Sequence, residues 1–335
     1  MPALRFASLG SGSSGNSTLV ELGDTRVLLD CGFTLKETLR RLECLQISPE
    51  SLSAMLISHE HSDHIRGAGP LARKFQLPVY MTHGTFSALK DQKLPHVQLL
   101  HAHEAFTLGD LTVDPFPTPH DAAESCQFVF GAGGRRFAVI TDAGFYTPHI
   151  CAKLDGVDAV LIESNYDDEL LRNGPYPASL QARIRGNFGH LGNVQAAELA
   201  RMVDHPGLQY ILLGHLSERN NTPAHARETV CALLEQHRHE RVNVLSQHEC
   251  SVWFELPVAP VSGEPALVLE DSADIPSERL AEQLEPAQTL DIAAGTRRPA
   301  VDDNAPSGVT AGDRAVDAVV NDSTDAALSA PLLVS

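Results

Sequence analysis

The chain has 335 residues, 43% of them hydrophobic, and a formal net charge of −18, so it can bury one large domain or two small ones and is not mainly disordered. Six cysteines without any C-x-x-C spacing exclude a disulfide-stapled miniprotein and point to a reduced, cytoplasmic protein. The acidic balance argues against broad attraction to a polyanion and makes a small-molecule enzyme the default. No run of about 18 apolar residues marks a membrane span, and the start MPALRFASLG has neither the basic nor the apolar part of a signal peptide. The count that stands out is 16 His against 25 Lys and Arg.

In chain order, residues 5–9, 17–22 and 26–30 read as a strand meander around Gly- and Ser-rich turns. Residues 35–42 space apolar side chains three and four apart, as a surface helix does. A strand over 54–58 runs through a loop into a helical pattern over 64–75, and a strand over 79–82 follows. Further strands are predicted at 111–116, 127–131, 136–141, 159–163, 210–213, 243–245 and 251–256, with helices at 193–203 and 223–236. Strand runs at both ends, each half closed by helices, predict two sheets face to face with helices outside, and no internal repeat stands out. From residue 259 onward there are 14 Asp and Glu, four Arg, no Lys and no aromatic residue. That composition cannot offset chain entropy. The chain therefore divides into a folded domain over 1–257 and an acidic, Ala/Pro-rich, disordered tail over 258–335, either simply solvated or a binding segment for an unidentified protein.

The most informative segment is AMLISHEHSDHIRG, where the strand over 54–58 delivers His59, His61, Asp63 and His64 into a loop as H-x-H-x-D-H. Imidazole nitrogen and carboxylate oxygen suit a borderline divalent cation such as zinc, and a spacing of two in extended chain points His59 and His61 the same way. Asp63 and His64 can then face a second ion. His120, Asp142 and His215 each follow an apolar strand run, where a strand's end projects a side chain into a cleft; taken singly such a residue is more often a cap or hydrogen-bonding group than a ligand, and it is their order after the H-x-H-x-D-H loop that makes them candidates.

The motifs SLGSGSSGNS, LLDCG, SHEHSDH, PHDA, TDAG, IESNYD, GHLGN and GHLSERNNTP follow in order over nearly all of residues 1–257. On these motifs the chain resembles the metallo-β-lactamase-fold hydrolases and, within them, is similar to the YycJ/WalJ group of bacterial nucleases, for which HDA, ESNYD and the GHL segment are the more specific. The resemblance implies an α+β fold, a four-layer αββα sandwich with two divalent ions, zinc or manganese, at the edge between the sheets. It implies that His59, His61 and His120 bind the first ion, that Asp63, His64 and His215 bind the second, and that Asp142 bridges them. Asp30 matches a carboxylate that supports the metal loop from behind; the alternative is an ordinary turn residue before Cys31.

Two ions about 3.5–4 Å apart can hold a hydroxide that attacks phosphorus in line, and Asp63 counts among the catalytic groups as well as the ligands. The leaving oxygen needs a proton. His190 is the candidate donor, with Glu163 holding its imidazole in the donating state; the alternative for His190 is to cap the helix beginning near residue 193. Related proteins generally carry Ser where this chain has Gly192, which puts a hydroxyl contact beside the acid in doubt. Arg183 and Arg185 either fork onto phosphate or are solvated surface. SGSSGNS either cradles phosphate or only turns the chain, and Asn220 and Asn221 either reach substrate or cap the helix near Pro223. His96, His101, His103, His237 and His239 are read as surface.

Spacing narrows the choice within the fold. His120 and Asp142 are 22 positions apart, too few for the arm by which tRNA 3′-processing members hold tRNA, and Asp142 and His215 are 73 apart, too few for the extra domain of RNA-processing and DNA-repair members. The stretch IRGAGPLARKF after His64 offers neither a Cys ligand nor an evident hydrophobic pocket, against a β-lactamase. The expectation is a two-metal-dependent phosphodiesterase acting on nucleic acid, DNA rather than RNA, as a 5′-to-3′ exonuclease. Alternatives are a small-molecule hydrolase, for cyclic phosphodiesters or lactones, and a binding module with a degenerate site, which the complete ligand set disfavours. The net −10 of the tail leaves only −8 on the domain, and two cations in the cleft offset part of that locally.

Overall fold

The computed structural model describes residues 3–258; beyond Val258, the tail assigned to 258–335 lies outside the described residues. β1 (Ala3–Gly10), β2 (Ser17–Leu22) and β3 (Thr25–Leu29) form the expected antiparallel meander. α1 (Leu35–Cys44) then leads to β4 (Ala54–Leu56), and α2 (Ser62–Ile65) and α3 (Ala68–Phe75) lead to β5 (Pro78–Thr82). After α4 (His83–Ala88) comes β6 (His96–Leu100), and β3 to β6 pair parallel in succession.

The second half repeats this plan. β7 (Phe106–Leu108), β8 (Leu111–Pro117), β9 (Cys126–Ala132) and β10 (Arg135–Ile140) are antiparallel neighbours. α5 (Pro148–Leu154), β11 (Ala159–Glu163), α6 (Asp168–Asn173), α7 (Ala178–Arg185), α8 (Asn193–Val203), β12 (Tyr210–Gly214), α9 (Pro223–Leu233) and β13 (Val242–Val244) follow, with β10 to β13 parallel. β14 (Phe254–Pro257) returns to pair with β1. One sheet runs β14-β1-β2-β3-β4-β5-β6 and the other β7-β8-β9-β10-β11-β12-β13. The two halves thus share a topology without any visible internal sequence repeat.

Parallel strands covered on both faces read as continuous apolar runs, and all five residues of β11, AVLIE, are buried. One core lies between the sheets, where Phe6 of β1 stacks on Phe137 of β10 with ring centroids 3.8 Å apart. The other two lie under helices: Leu42, Leu71 and Ala72 against the first sheet, and Ile150, Leu199 and Val230 against the second. This is the αββα sandwich expected. No helix among the described residues is long and apolar enough to cross a membrane.

The helix predicted over 64–75 is two helices. At Gly67 between them the chain passes so close to the preceding loop that a Cβ would lie 2.3 Å from the Phe33 carbonyl oxygen, and the Gly67 N–H donates to Cys31 O at 2.8 Å. The helix predicted to reach residue 236 ends at Leu233. Six elements have no counterpart in the sequence reading: α4, α5, α6, α7, β6 and β7. α7 buries no residue, and β6 is a half-exposed edge strand, so neither presents a complete apolar face.

Candidate metal centre and active site

Strand ends from both halves meet at one rim. Asp30 after β3, Asp142 after β10 and His215 after β12 hold φ of 59°, 56° and 54°, a left-handed backbone that costs a non-glycine residue on the order of 1–3 kcal/mol and clusters at functional sites. Asp30 and Asp142 follow equivalent strands of the two halves. All seven ligand candidates converge. Donor atoms lie within 4.8 Å of one another in the sets His59, His61 and His120; Asp63, His64 and His215; and His59, His64 and Asp142, which ties the first two together.

Four of the imidazoles are fixed the same way. The Nδ1–H of His64 donates to Asp30 Oδ2 (2.8 Å), that of His215 to Glu163 Oε1 (2.8 Å), that of His120 to Gly189 O (3.1 Å) and that of His59 to Ser58 Oγ (3.0 Å). Each therefore turns Nε2 into the cluster, the arrangement by which outer groups fix the tautomer of a metal-binding histidine. His61 is the exception, with its Nδ1 3.2 Å from His120 Nε2. Asp30 also accepts from Ser58 N (2.8 Å) and Ser58 Oγ (2.9 Å), so one carboxylate aligns the loop backbone and His64 together. Asp30→Ala is expected to weaken metal affinity by about 10- to 100-fold, measured by competition with a fluorescent chelator. An unchanged affinity would reduce Asp30 to a turn residue.

The donors suit a divalent cation. His59 Nε2 is buried without a hydrogen-bond partner, a costly condition that a cation relieves. Burial, helped by His64, pushes the His59 imidazole well below its ordinary value, and burial also lowers His120, so both present lone pairs. Burial opposes ionisation of Asp142, but His215 and His64 outweigh it and hold the carboxyl well below the usual range. For His215, burial is overcome by Asp142, Asp63 and Glu163, and its pKa rises to about 10. Ionised carboxylates beside imidazoles with free lone pairs are what a divalent cation binds, displacing the protons that remain.

Beside the cluster, Glu163 grips two histidines. Its Oε1 accepts from His190 Nδ1 at 2.7 Å as well as from His215, and its Oε2 accepts from Ala143 N (3.1 Å) and Leu191 N (3.2 Å). Burial lowers the His190 imidazole, but Glu163 more than reverses this and the net shift is upward. The His190 ring lies 5.3 Å from those of His120 and His215, and its side chain is 23% exposed. It does not cap α8, whose N-cap is Gly192. A Cβ at Gly192 would stand 2.7 Å from the Tyr166 ring, so the glycine accommodates a buried tyrosine.

The cleft over the cluster has a volume of about 250 Å³ and is lined by Ser13, Asp121, Leu180, Arg183 and His190 besides the ligands. Of Arg183, Arg185 and Asn220 only Arg183 lines it. Its Nε and Nη2 lie 2.7 and 2.6 Å from Asp121 Oδ2, while Asp121 Oδ1 lies 3.5 Å from His120 Nε2. Arg185 is turned aside to Asp168, donating to its carbonyl at 3.1 Å, because one residue pair along a helix does not share a face. Asn220 is fully buried and donates to Ser217 Oγ; Thr222, not an asparagine, caps α9. His96, His101, His103 and His237 are exposed and His239 is half-buried.

Three features escaped the sequence reading. Asn16 of SGSSGNS frames the second ligand set: its N–H donates to Asp63 O (2.8 Å), and its Nδ2 lies 3.4 Å from Asp63 Oδ2 and 3.3 Å from His64 Nε2. The opposing Gly32 is required, since a Cβ there would fall 1.7 Å from Asp63 O. Ser11 Oγ accepts the His215 N–H at 2.8 Å, so the SGSSGNS loop frames the ligands, and Ser13 of its residues lines the cleft. Asp121 lay in plain sight in PHDA. Finally, the stretch after His64 does border an apolar cavity of about 420 Å³, formed with α4 and the loop after it, which were not predicted.

A His and Asp cluster at the rim between the sheets of an αββα sandwich is the arrangement of a metal-dependent hydrolase. The family described as "Beta-lactamase superfamily domain" matches residues 25–216. Exodeoxyribonuclease YycJ of Bacillus anthracis is 36% identical over 70% of this chain and 90% of its own length, and exodeoxyribonuclease WalJ of Streptococcus pneumoniae serotype 2 is 33% identical over 80% of this chain and 97% of its own. The crystal structure of the metallo-β-lactamase-fold protein YhfI from Bacillus subtilis superposes with a TM-score of 0.59 at 20% identity, covering 76% of this chain and 99% of that one. The chain belongs to the β-lactamase superfamily of metal-dependent hydrolases and, within it, to the YycJ/WalJ group.

Proposed function

We propose that the protein is a phosphodiesterase that uses two divalent ions, zinc or manganese, to digest DNA from the 5′ end. The observation that carries this reading is Glu163 holding the Nδ1 of both His190 and His215 at 2.7 and 2.8 Å. One carboxylate thereby orients a ligand and a proton donor around the same reacting centre. His59, His61 and His120 would hold one ion, Asp63, His64 and His215 the other, with Asp142 between them. When bound, such a pair supplies an acidified water and neutralises charge on phosphoryl oxygens. His190 keeps its proton through the Glu163 contact and delivers it from Nε2 to the departing oxygen, which an unactivated sugar leaving group requires. Arg183, at the cleft mouth, exchanges Asp121 for a phosphate oxygen. Phe188, 62% exposed two residues before His190, offers a face for an unpaired base to stack on.

DNA as substrate rests on the names of the relatives, and 5′-to-3′ polarity on the likeness of the motifs. Duplex DNA and RNA of one sequence, labelled at either end and incubated with the manganese-loaded protein, test both. Early release of labelled mononucleotide from the 5′ end of DNA is the expected result. Early release from the 3′ label reverses the polarity, and equal rates on RNA remove the preference for DNA. A hydrolase of cyclic phosphodiesters or lactones is the competing reading, favoured by the domain's net acidic charge.

A further inference from the structure

We propose that the apolar cavity beside the first imidazole set receives the base and sugar of the terminal nucleotide; this rests on the phosphodiesterase reading above. At about 420 Å³ the cavity falls in the size range of small-molecule sites. His61 lines both it and the metal cleft, so a group held in it is joined to the reacting phosphate without a gap. Ile57, Ile65, Met81 and Leu94 give it aliphatic walls.

Its polar features match a nucleotide. Glu60, between His59 and His61, accepts from Ala123 N at 2.8 Å through Oε1, while Oε2 is buried with no partner. Glu60, a half-buried residue of the cavity wall, carries there a carboxylate acceptor for the N–H and O–H donors that base amino groups and sugar hydroxyls supply. Arg66 and Lys90 line the same cavity and make no ion pair among the described residues, whereas neighbouring Asp91 is taken by Arg73 at 2.9 Å. In an acidic domain, two unpaired cations next to the metal centre provide for the following phosphate. Aliphatic walls with one acceptor bind a base by its bulk more than by its edge, as suits an enzyme that must accept each nucleotide in turn.

The test pairs a filled cavity with a missing base. Ala88 is an exposed residue of the cavity wall, and Ala88→Trp occupies the space without altering any group of the metal centre. Manganese-loaded wild type and variant are compared on duplex DNA whose terminal nucleotide, at the digested end, carries either adenine or an abasic tetrahydrofuran. Wild type is expected to lose on the order of tenfold or more in kcat/KM without the base. The variant is expected to show that loss already on intact DNA and no further loss on the abasic end, with manganese content equal in both. Indifference of the wild type to the missing base, or losses that multiply in the variant, overturns the proposal and leaves the phosphodiesterase reading standing. If the wild type leaves all DNA intact, that reading falls and the inference with it. Should Ala88→Trp fail to fold, the double variant Arg66→Ala, Lys90→Ala is expected to raise KM and flatten its salt dependence; an unchanged KM and salt slope overturns the proposal equally.

Discussion

Replacing His190 by alanine is expected to leave the metal content unchanged and to slow DNA hydrolysis by about 100- to 10,000-fold, the usual contribution of a positioned acid. Nδ1 of His190 is occupied by Glu163 at 2.7 Å, so the imidazole meets the cleft with its other nitrogen. Because Glu163 raises the His190 pKa above the ordinary imidazole value, the acid form persists at neutral pH and is lost as pH rises through that raised value. The rate on DNA should therefore fall on the alkaline side, and the variant should lose that limb. On bis-p-nitrophenyl phosphate, whose leaving group departs without a proton, the variant should lose far less. Equal losses on both substrates, or loss of metal, would make His190 a structural or ligand residue instead.

The second large effect is expected at His61. His61→Ala should lose metal and activity together, by more than the 10- to 100-fold that a merely supporting residue costs. His61 is the cleanest ligand to remove: its side chain is 32% exposed and its one hydrogen-bonding neighbour is His120 at 3.2 Å. Asp142, by contrast, is buried among His64 and His215, and removing it leaves imidazoliums uncompensated, which confuses stability with binding. Elemental analysis beside circular dichroism reads the result. A folded His61→Ala protein with full metal content would show that His61 is not a ligand.

The contrast between the two variants separates what was legible in the sequence from what was not. The convergence of the seven candidate ligands was legible because H-x-H-x-D-H packs four donors into six positions, and because His120, Asp142 and His215 each end a strong apolar strand. Glu163 and His190 needed the resemblance, since a carboxylate ending a strand and a histidine before a helix each have ordinary structural uses. Arg185 and Asn220 misled for a physical reason: nothing in their local sequence reports that α7 turns Arg185 to Asp168 or that Asn220 folds beneath its loop. Helix α7 itself was invisible because it buries no residue, yet it carries Arg183 and Leu180 to the cleft. The framing role of SGSSGNS was hidden for a similar reason, because the Asn16–Asp63 backbone contact spans 47 positions of sequence and only the packed loops reveal it. The acidity that first argued against a polyanionic substrate is concentrated in residues outside the described domain, and the cavity beside His61 carries two unpaired cations.

The central claim, metal-dependent phosphodiester hydrolysis of DNA, is tested most directly by one side-by-side assay. The metal-loaded protein is incubated, with and without chelator, with end-labelled duplex DNA, bis-p-nitrophenyl phosphate, a cyclic dinucleotide and a simple lactone. The account predicts chelator-sensitive release of mononucleotides from DNA and cleavage of the aryl phosphodiester, with the lactone untouched. Hydrolysis of the lactone alone, with the DNA intact, would contradict it.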